Sequence, residues 1–185
     1  MEGVEEVKFT PAGIEGAFEI DLEKRADERG FFARAWCERE FAQHGLSTRI
    51  AQVNVGVSTS AGTLRGMHYQ FAPHAEVKLA RCGRGAVYDV AVDLRPASPT
   101  FRRWHGCELS AQNGRMLYVP EGCAHGYLTL TDDAELMYFT SVPYAPDSAR
   151  GVRHDDPAFS ITWPRPVTTI SSQDAAWPDF RMDPT

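Results

Sequence analysis

The sequence predicts an all-β protein, a sandwich or barrel. Three observations carry this: short apolar runs recur along the chain, several alternate with period two, and Gly, Pro, Asn and Asp separate them. With 185 residues, 43% of them hydrophobic and 24% charged, the composition is that of an ordinary globular protein. That length suits one well-packed core and is short for two, so a single domain over residues 1–185 is expected.

In chain order, "EREFAQHG" at 38–45 reads as a short helix and "RIAQVNVGVS" at 49–58 as a strand. "TLRGMHYQFAPHAEVKL" at 63–79 reads as strand, turn, strand. It carries two cations, two histidines and two aromatic rings. "KLARCGRGAVYDVAVDL" at 78–94 is broken by the tight turn "GRG"; beyond it Val87, Asp89, Ala91 and Asp93 alternate with Tyr88, Val90, Val92 and Leu94. After the proline-punctuated "RPASPT" come "WHGCELS" at 104–110, the turn "SAQNG", "RMLYVP" at 115–120, "AHGYLTL" at 124–130 and "AELMYFTSV" at 134–142. A second short helix is expected around "SSQDAAW" at 171–177. A barrel of this kind keeps ligands in its mouth or interior, so the inward polar residues become the candidates.

A formal net charge of −6 gives no reason to expect general affinity for nucleic acid or an anionic membrane. Any phosphate would have to be caught by a few placed arginines. The start "MEGVEEVKFTPAG" lacks the basic residues and apolar run of a secretory signal, and no stretch is apolar enough to span a bilayer; a cytoplasmic location is expected. Cys37, Cys82, Cys107 and Cys123 form no C-x-x-C pair, which argues for buried free thiols rather than a zinc knuckle.

"YVPEGCAHGYLTL" contains Pro120, Gly122 and His125 as P-x-G-x-x-H, which resembles the second conserved motif of cupins, small double-sheet barrels. Metal-binding cupins, by resemblance, also need an H-x-H pair and a glutamate in their first motif. Here His68 is followed by Tyr69 and Gln70, and His74 lies beyond Pro73 in a turn. A divalent ion needs three or four converging ligands, so no metal and no cofactor are expected; His74 and Glu76 read as turn or rim residues.

The ordered set "DERGFF", "QVN", "LRGMHYQ", a lysine ten residues after the histidine, "VYDVAVDLRPASPTF", "PEGCAHGYLTL", "YFTSVPYAP", "HDDPAFSITWP" and "SSQDAAWP" closely resembles the dTDP-4-dehydrorhamnose 3,5-epimerase family, over roughly residues 20–180. The resemblance implies a metal-free cupin jelly roll, a homodimer whose N-terminal strands cross to the partner, and a nucleoside-diphosphate 4-keto-6-deoxy sugar as substrate. Epimerisation beside a ketone needs a base on one face, a cation at the enolate oxygen and an acid on the other face.

The resemblance assigns His68 as base, Asp174 as the carboxylate that orients it, Lys78 as the cation at the C4 oxygen and Tyr138 as the acid. Tyr144, close by in sequence, is a second candidate acid. By the same resemblance Arg65 takes the diphosphate, and Arg29, Phe32, Arg34, Gln52, Asn54 and Tyr144 surround the nucleotide or sugar. Asp89 and His125 support the pocket. On a regular strand Arg65 and His68 would face opposite ways, and a bulge at Gly66 is expected to bring both inward. Ser171 and Asp174 also form a helix-capping arrangement. Phe31, Phe32 and Trp36 read as core or subunit contact, with nucleotide stacking open to one ring. Arg34 stands where a glutamate is common in the rhamnose enzymes, which leaves the base open among dTDP, CDP and GDP. The shared catalytic set leaves C3-only, C5-only and double inversion open, and a non-catalytic sugar-nucleotide-binding cupin is the alternative from another class.

Overall fold

The structure, a computed structural model, describes residues 7–181; the expectations for residues 1–6 and 182–185 lie outside the described residues. In chain order the first half comprises β1 (Val7–Pro11), β2 (Phe18–Leu22), β3 (Arg25–Asp27), β4 (Gly30–Phe32), helix α1 (Glu38–Gln43), β5 (Gln52–Ser58), β6 (Thr63–Gln70) and β7 (Lys78–Arg84). The second half comprises β8 (Ala86–Asp93), β9 (Trp104–Ser110), β10 (Met116–Val119), β11 (Cys123–Thr129), β12 (Ala134–Thr140), β13 (Ala149–Gly151), β14 (Thr169–Ile170) and helix α2 (Ser172–Ala175). One sheet has the order β1-β2-β10-β7-β12-β5, the other β13-β6-β11-β8-β9 with β14 beside β6, and β3 and β4 form a separate hairpin. This is the all-β cupin-type jelly roll expected, with both short helices where the sequence places them. The four strands before α1 escape a reading based on apolar runs, because "RAD" and "GFF" are short and all exposed.

The turn between β7 and β8 rests on Gly85 at φ +72°, a left-handed conformation that a side chain would strain. Along β8 the alternation has an uncommon outcome, since both faces are buried. Val87 and Ala91 enter the barrel core with Leu109, Leu117 and Leu136. Val90 and Val92 point the other way and are covered by Val152 and Phe159, with Trp163 and Phe180 alongside. The C-terminal segment therefore roofs the second sheet, leaving the barrel face of β8 free to carry Asp89 and Asp93.

A buried carboxylate is tolerated only when its oxygens are hydrogen-bonded. Asp93, fully buried, accepts from Arg95 Nε at 2.8 Å, Ser98 Oγ at 2.5 Å and Thr100 Oγ1 at 2.7 Å, which ties the "RPASPT" connection to the sheet. Burial pushes its carboxyl up, but those donors outweigh burial and bring it down to about 2.

Candidate active site

A cavity of about 960 Å³ opens between the sheets, lined by residues of β5, β6, β7, β11 and β12 and by α2. Its geometry starts from an irregularity in β6. Opposite β11, His68 pairs with His125 and Arg65 with Tyr127, so β6 advances three residues where β11 advances two. The extra residue is the expected bulge. Gly66 sits in it at φ +129°, and a Cβ there would stand 2.5 Å from Gly126 Cα, so the strand accepts only glycine at this close approach. The bulge resets the alternation, and both Arg65 and His68 line the cavity.

His68 Nε2 lies 2.6 Å from Asp174 Oδ1. Asp174 comes from α2, where its backbone N–H donates to Ser171 Oγ at 3.0 Å, and its other carboxylate oxygen accepts from Gly66 N at 3.2 Å. Capping and histidine contact thus coexist in one residue. Burial pushes the Asp174 carboxyl up, yet the contacts to His68, Gly66 and Ser171 win and hold it below the ordinary value. An ionised carboxylate only accepts, so the His68 proton sits on Nε2 and the Nδ1 lone pair is left as the basic atom.

Lys78, at the start of β7, is buried; its ammonium donates to the His68 carbonyl at 3.1 Å and pairs with Glu76 Oε1 at 3.0 Å. Tyr138 of β12 lines the same cavity, half-buried. Burial pushes its phenol up, the Glu76 charge adds to that and Arg65 opposes it. Arg65 is steadied by Ser58 Oγ at 3.1 Å and the Val57 carbonyl at 3.1 Å. His125 Nε2 donates to both oxygens of fully buried Asp89, at 2.9 and 3.0 Å, so Asp89 stands behind a cavity-lining imidazole. Gln52, Asn54 and Tyr144 line the cavity; Tyr144 is 66% exposed, and its backbone N–H donates to Gln52 Oε1 at 2.8 Å.

Three expected substrate residues are not brought to this cavity within one chain. Arg29 is exposed and paired with Asp27 at 2.6 Å, Phe32 is 71% exposed on β4, and Arg34 contacts Glu40 of α1 at 3.1 Å. Within one chain Arg34 therefore stands against α1 and not in the cavity wall. Trp36 packs on Phe41, its ring centroid 6.0 Å away.

Glu76 corrects a sequence expectation. Instead of a turn or rim position it holds a place in the cavity wall, its side chain 10% exposed against Lys78. A signal was present, since residues two apart in extended chain share a face and Glu76 precedes Lys78 by two. Its neighbour in the expectation, His74, bonds Ser148 Oγ at 2.9 Å. Gln173 also lines the cavity, as does Trp177, which had not been singled out. Among the described residues, Glu19, His105 and Cys107 gather ligand-type atoms away from this cavity. There His105 Nδ1 accepts from Gly13 N, its Nε2 bonds Glu19, and Arg115 takes the second Glu19 oxygen at 2.6 Å, so protein partners already occupy those donors.

The family model for dTDP-4-dehydrorhamnose 3,5-epimerase matches residues 11–182. A dTDP-4-dehydrorhamnose 3,5-epimerase of Sinorhizobium fredii is 40% identical over 178 residues, 96% of this chain and 91% of the relative. A dTDP-4-dehydrorhamnose 3-epimerase of Streptomyces niveus is 40% identical over 169 residues, 91% of this chain and 81% of the relative. The crystal structure of dTDP-4-dehydrorhamnose 3,5-epimerase from Elizabethkingia anophelis superposes with a TM-score of 0.92 at 37% identity, covering 95% of this chain and 97% of that one.

Proposed function

The chain belongs to the dTDP-4-dehydrorhamnose 3,5-epimerase family and is an epimerase of the isomerase class, and we propose that it inverts C3 and C5 of a dTDP-linked 4-keto-6-deoxy sugar. The observation that carries the chemistry is the meeting, in one cavity, of a carboxylate-oriented imidazole, a buried ammonium and a half-buried phenol. A non-catalytic binding protein has no need of that combination. The dTDP sugar is favoured over CDP or GDP sugars because the relatives carry that name at about 40% identity.

In this reading the ketone acidifies the hydrogens on either side of it. His68 Nδ1 removes one, and Asp174 stabilises the imidazolium that forms. The electrons move onto the C4 oxygen, where the Lys78 ammonium meets the developing charge; in a water-poor site one such donor is worth about 3 kcal/mol. Tyr138, set into the wall on β12, returns a proton from the opposite face, and the centre inverts. Tyr138 is preferred to Tyr144 as the acid because Tyr144 lies exposed at the mouth. Arg65 takes the diphosphate with its planar guanidinium. Gln52, Asn54 and Tyr144 border the nucleotide end, and the Asp89–His125 pair shapes the floor.

The test is proton NMR of dTDP-4-keto-6-deoxyglucose with the protein in heavy water. Loss of both the C3 and C5 signals is expected. Loss of one would make it a single-centre epimerase, and retention of both would overturn the reading.

The proposal extends to one cytoplasmic domain assembled as a homodimer. Val53, Val55 and Val57 form an exposed row on β5, an edge strand of its sheet, and Phe31 and Phe32 are exposed on the separate hairpin. An apolar edge of this kind calls for a covering partner. A second copy covering it would also bring the hairpin, with Arg29, Phe32 and Arg34, toward the neighbouring cavity. Sedimentation at micromolar concentration is expected to give twice the chain mass; the mass of one chain would overturn the dimer.

A further inference from the structure

Glu76 is an odd residue to find in this wall. A cavity for an anionic sugar nucleotide gains nothing from a second carboxylate beside the base–carboxylate pair, and burying one is costly unless it is matched. Its match is Lys78, at 3.0 Å, with side chains only 10% and 8% exposed. The ammonium has three donors. One meets Glu76 Oε1 and another the His68 carbonyl at 3.1 Å. The third N–H is then directed by two fixed anchors rather than by a freely turning lysine.

We propose that Glu76 is a positioning residue for the reaction, holding the Lys78 ammonium with one N–H left for the substrate's ketone oxygen while presenting a negative charge to Tyr138. The inference rests on the epimerase reading given above. Two anchors on Nζ cut the rotamer freedom that a lysine would otherwise lose when the enolate forms, which is preorganisation of the charge where it is needed. Toward Tyr138 the effect is electrostatic. After burial itself, Glu76 is the next influence raising the phenol, and Arg65 is the one opposing it. The other ionisable groups lining the cavity with Tyr138 are His68, Tyr69, Lys78, His125, Tyr127, Tyr144, Arg150 and Asp174. Because the acid must carry its proton to act, a raised phenol keeps the site competent to higher pH.

The experiment follows solvent deuterium uptake and product inversion with dTDP-4-keto-6-deoxyglucose across pH, for the unmodified protein, Glu76→Gln and Glu76→Asp. Glutamine keeps the size and one acceptor but removes the charge; aspartate keeps the charge and draws the anchor back by one methylene. In Glu76→Gln the alkaline limb of kcat is expected to move about one pH unit lower, with kcat at its optimum down about tenfold and KM within about threefold. Glu76→Asp is expected to keep the alkaline limb of the unmodified protein while losing kcat, because the charge remains and the anchor is displaced. A merely space-filling glutamate would leave the pH profile of Glu76→Gln unmoved, and that result, with uptake intact in the unmodified protein, overturns this inference alone. No uptake by the unmodified protein would overturn the epimerase reading and this inference with it.

Discussion

His68→Asn is expected to lower deuterium uptake into the 4-keto sugar by about a thousandfold, within the range supplied by one general base. Asparagine can still donate an amide hydrogen toward Asp174, so the carboxylate that accepts from Gly66 N keeps a side-chain partner. What it lacks is a basic nitrogen. The His68 side chain is 46% exposed, so little packing is lost, and thermal unfolding should stay close to that of the unmodified protein. Tyr138→Phe provides the contrast: uptake should persist within about tenfold while inverted product disappears, because removal and return of the proton are assigned to different residues. Persistent uptake in His68→Asn would remove His68 as the base. Equal loss of uptake and inversion in Tyr138→Phe would move the acid elsewhere.

Gly66→Ala is expected to cost about 4 kcal/mol of stability, a large share of what holds a domain folded. Two effects combine in it. At φ +129° an L side chain is strained, and the new methyl would meet backbone, Gly126 Cα at 2.5 Å and the His125 carbonyl at 3.0 Å. Backbone cannot step aside as a flexible side chain can. Gly30 separates the two effects, since it has φ +125° and a methyl added there would meet nothing within 4 Å. Gly30→Ala should therefore show the conformational cost alone, about 1–2 kcal/mol. Urea denaturation of both variants measures the difference. Equal costs would mean that the contact between β6 and β11 yields easily, and that the bulge is not held by close approach. The fraction of Gly66→Ala that folds should also lose activity, because Arg65 and His68 share the cavity only through this bulge.

Much of this was legible in the order of residues. Period-two alternation and turn residues mark β5 through β12, and the glycine between Arg65 and His68 marks the irregularity that faces both inward. The capping pattern of Ser171 and Asp174 places α2, and the motifs identify the family. Less legible were the short strands β3 and β4, where every residue is exposed and no buried face sets an alternation. The burial of both faces of β8 was also not legible, because alternation alone does not say that a later segment will cover the second face. Glu76 was misplaced for a related reason: a charged residue after a proline turn ordinarily belongs to the rim, and only the depth of Lys78 makes its burial favourable.

By itself, the sequence determined the element types from α1 onward through β12, the turns between them and the inventory of chemical groups, because these depend on backbone preference and side-chain identity over a few neighbouring residues. Which groups meet was decided by the tertiary structure. His68 and Asp174 are 106 positions apart and touch at 2.6 Å because α2 is carried by β14 alongside β6. Glu76, just before β7, shares the cavity with the Tyr138 phenol of β12 because β7 and β12 are neighbours in one sheet. Contacts of that range depend on how sheets close on each other, and with them go burial, charge and the reach of every proton in the site.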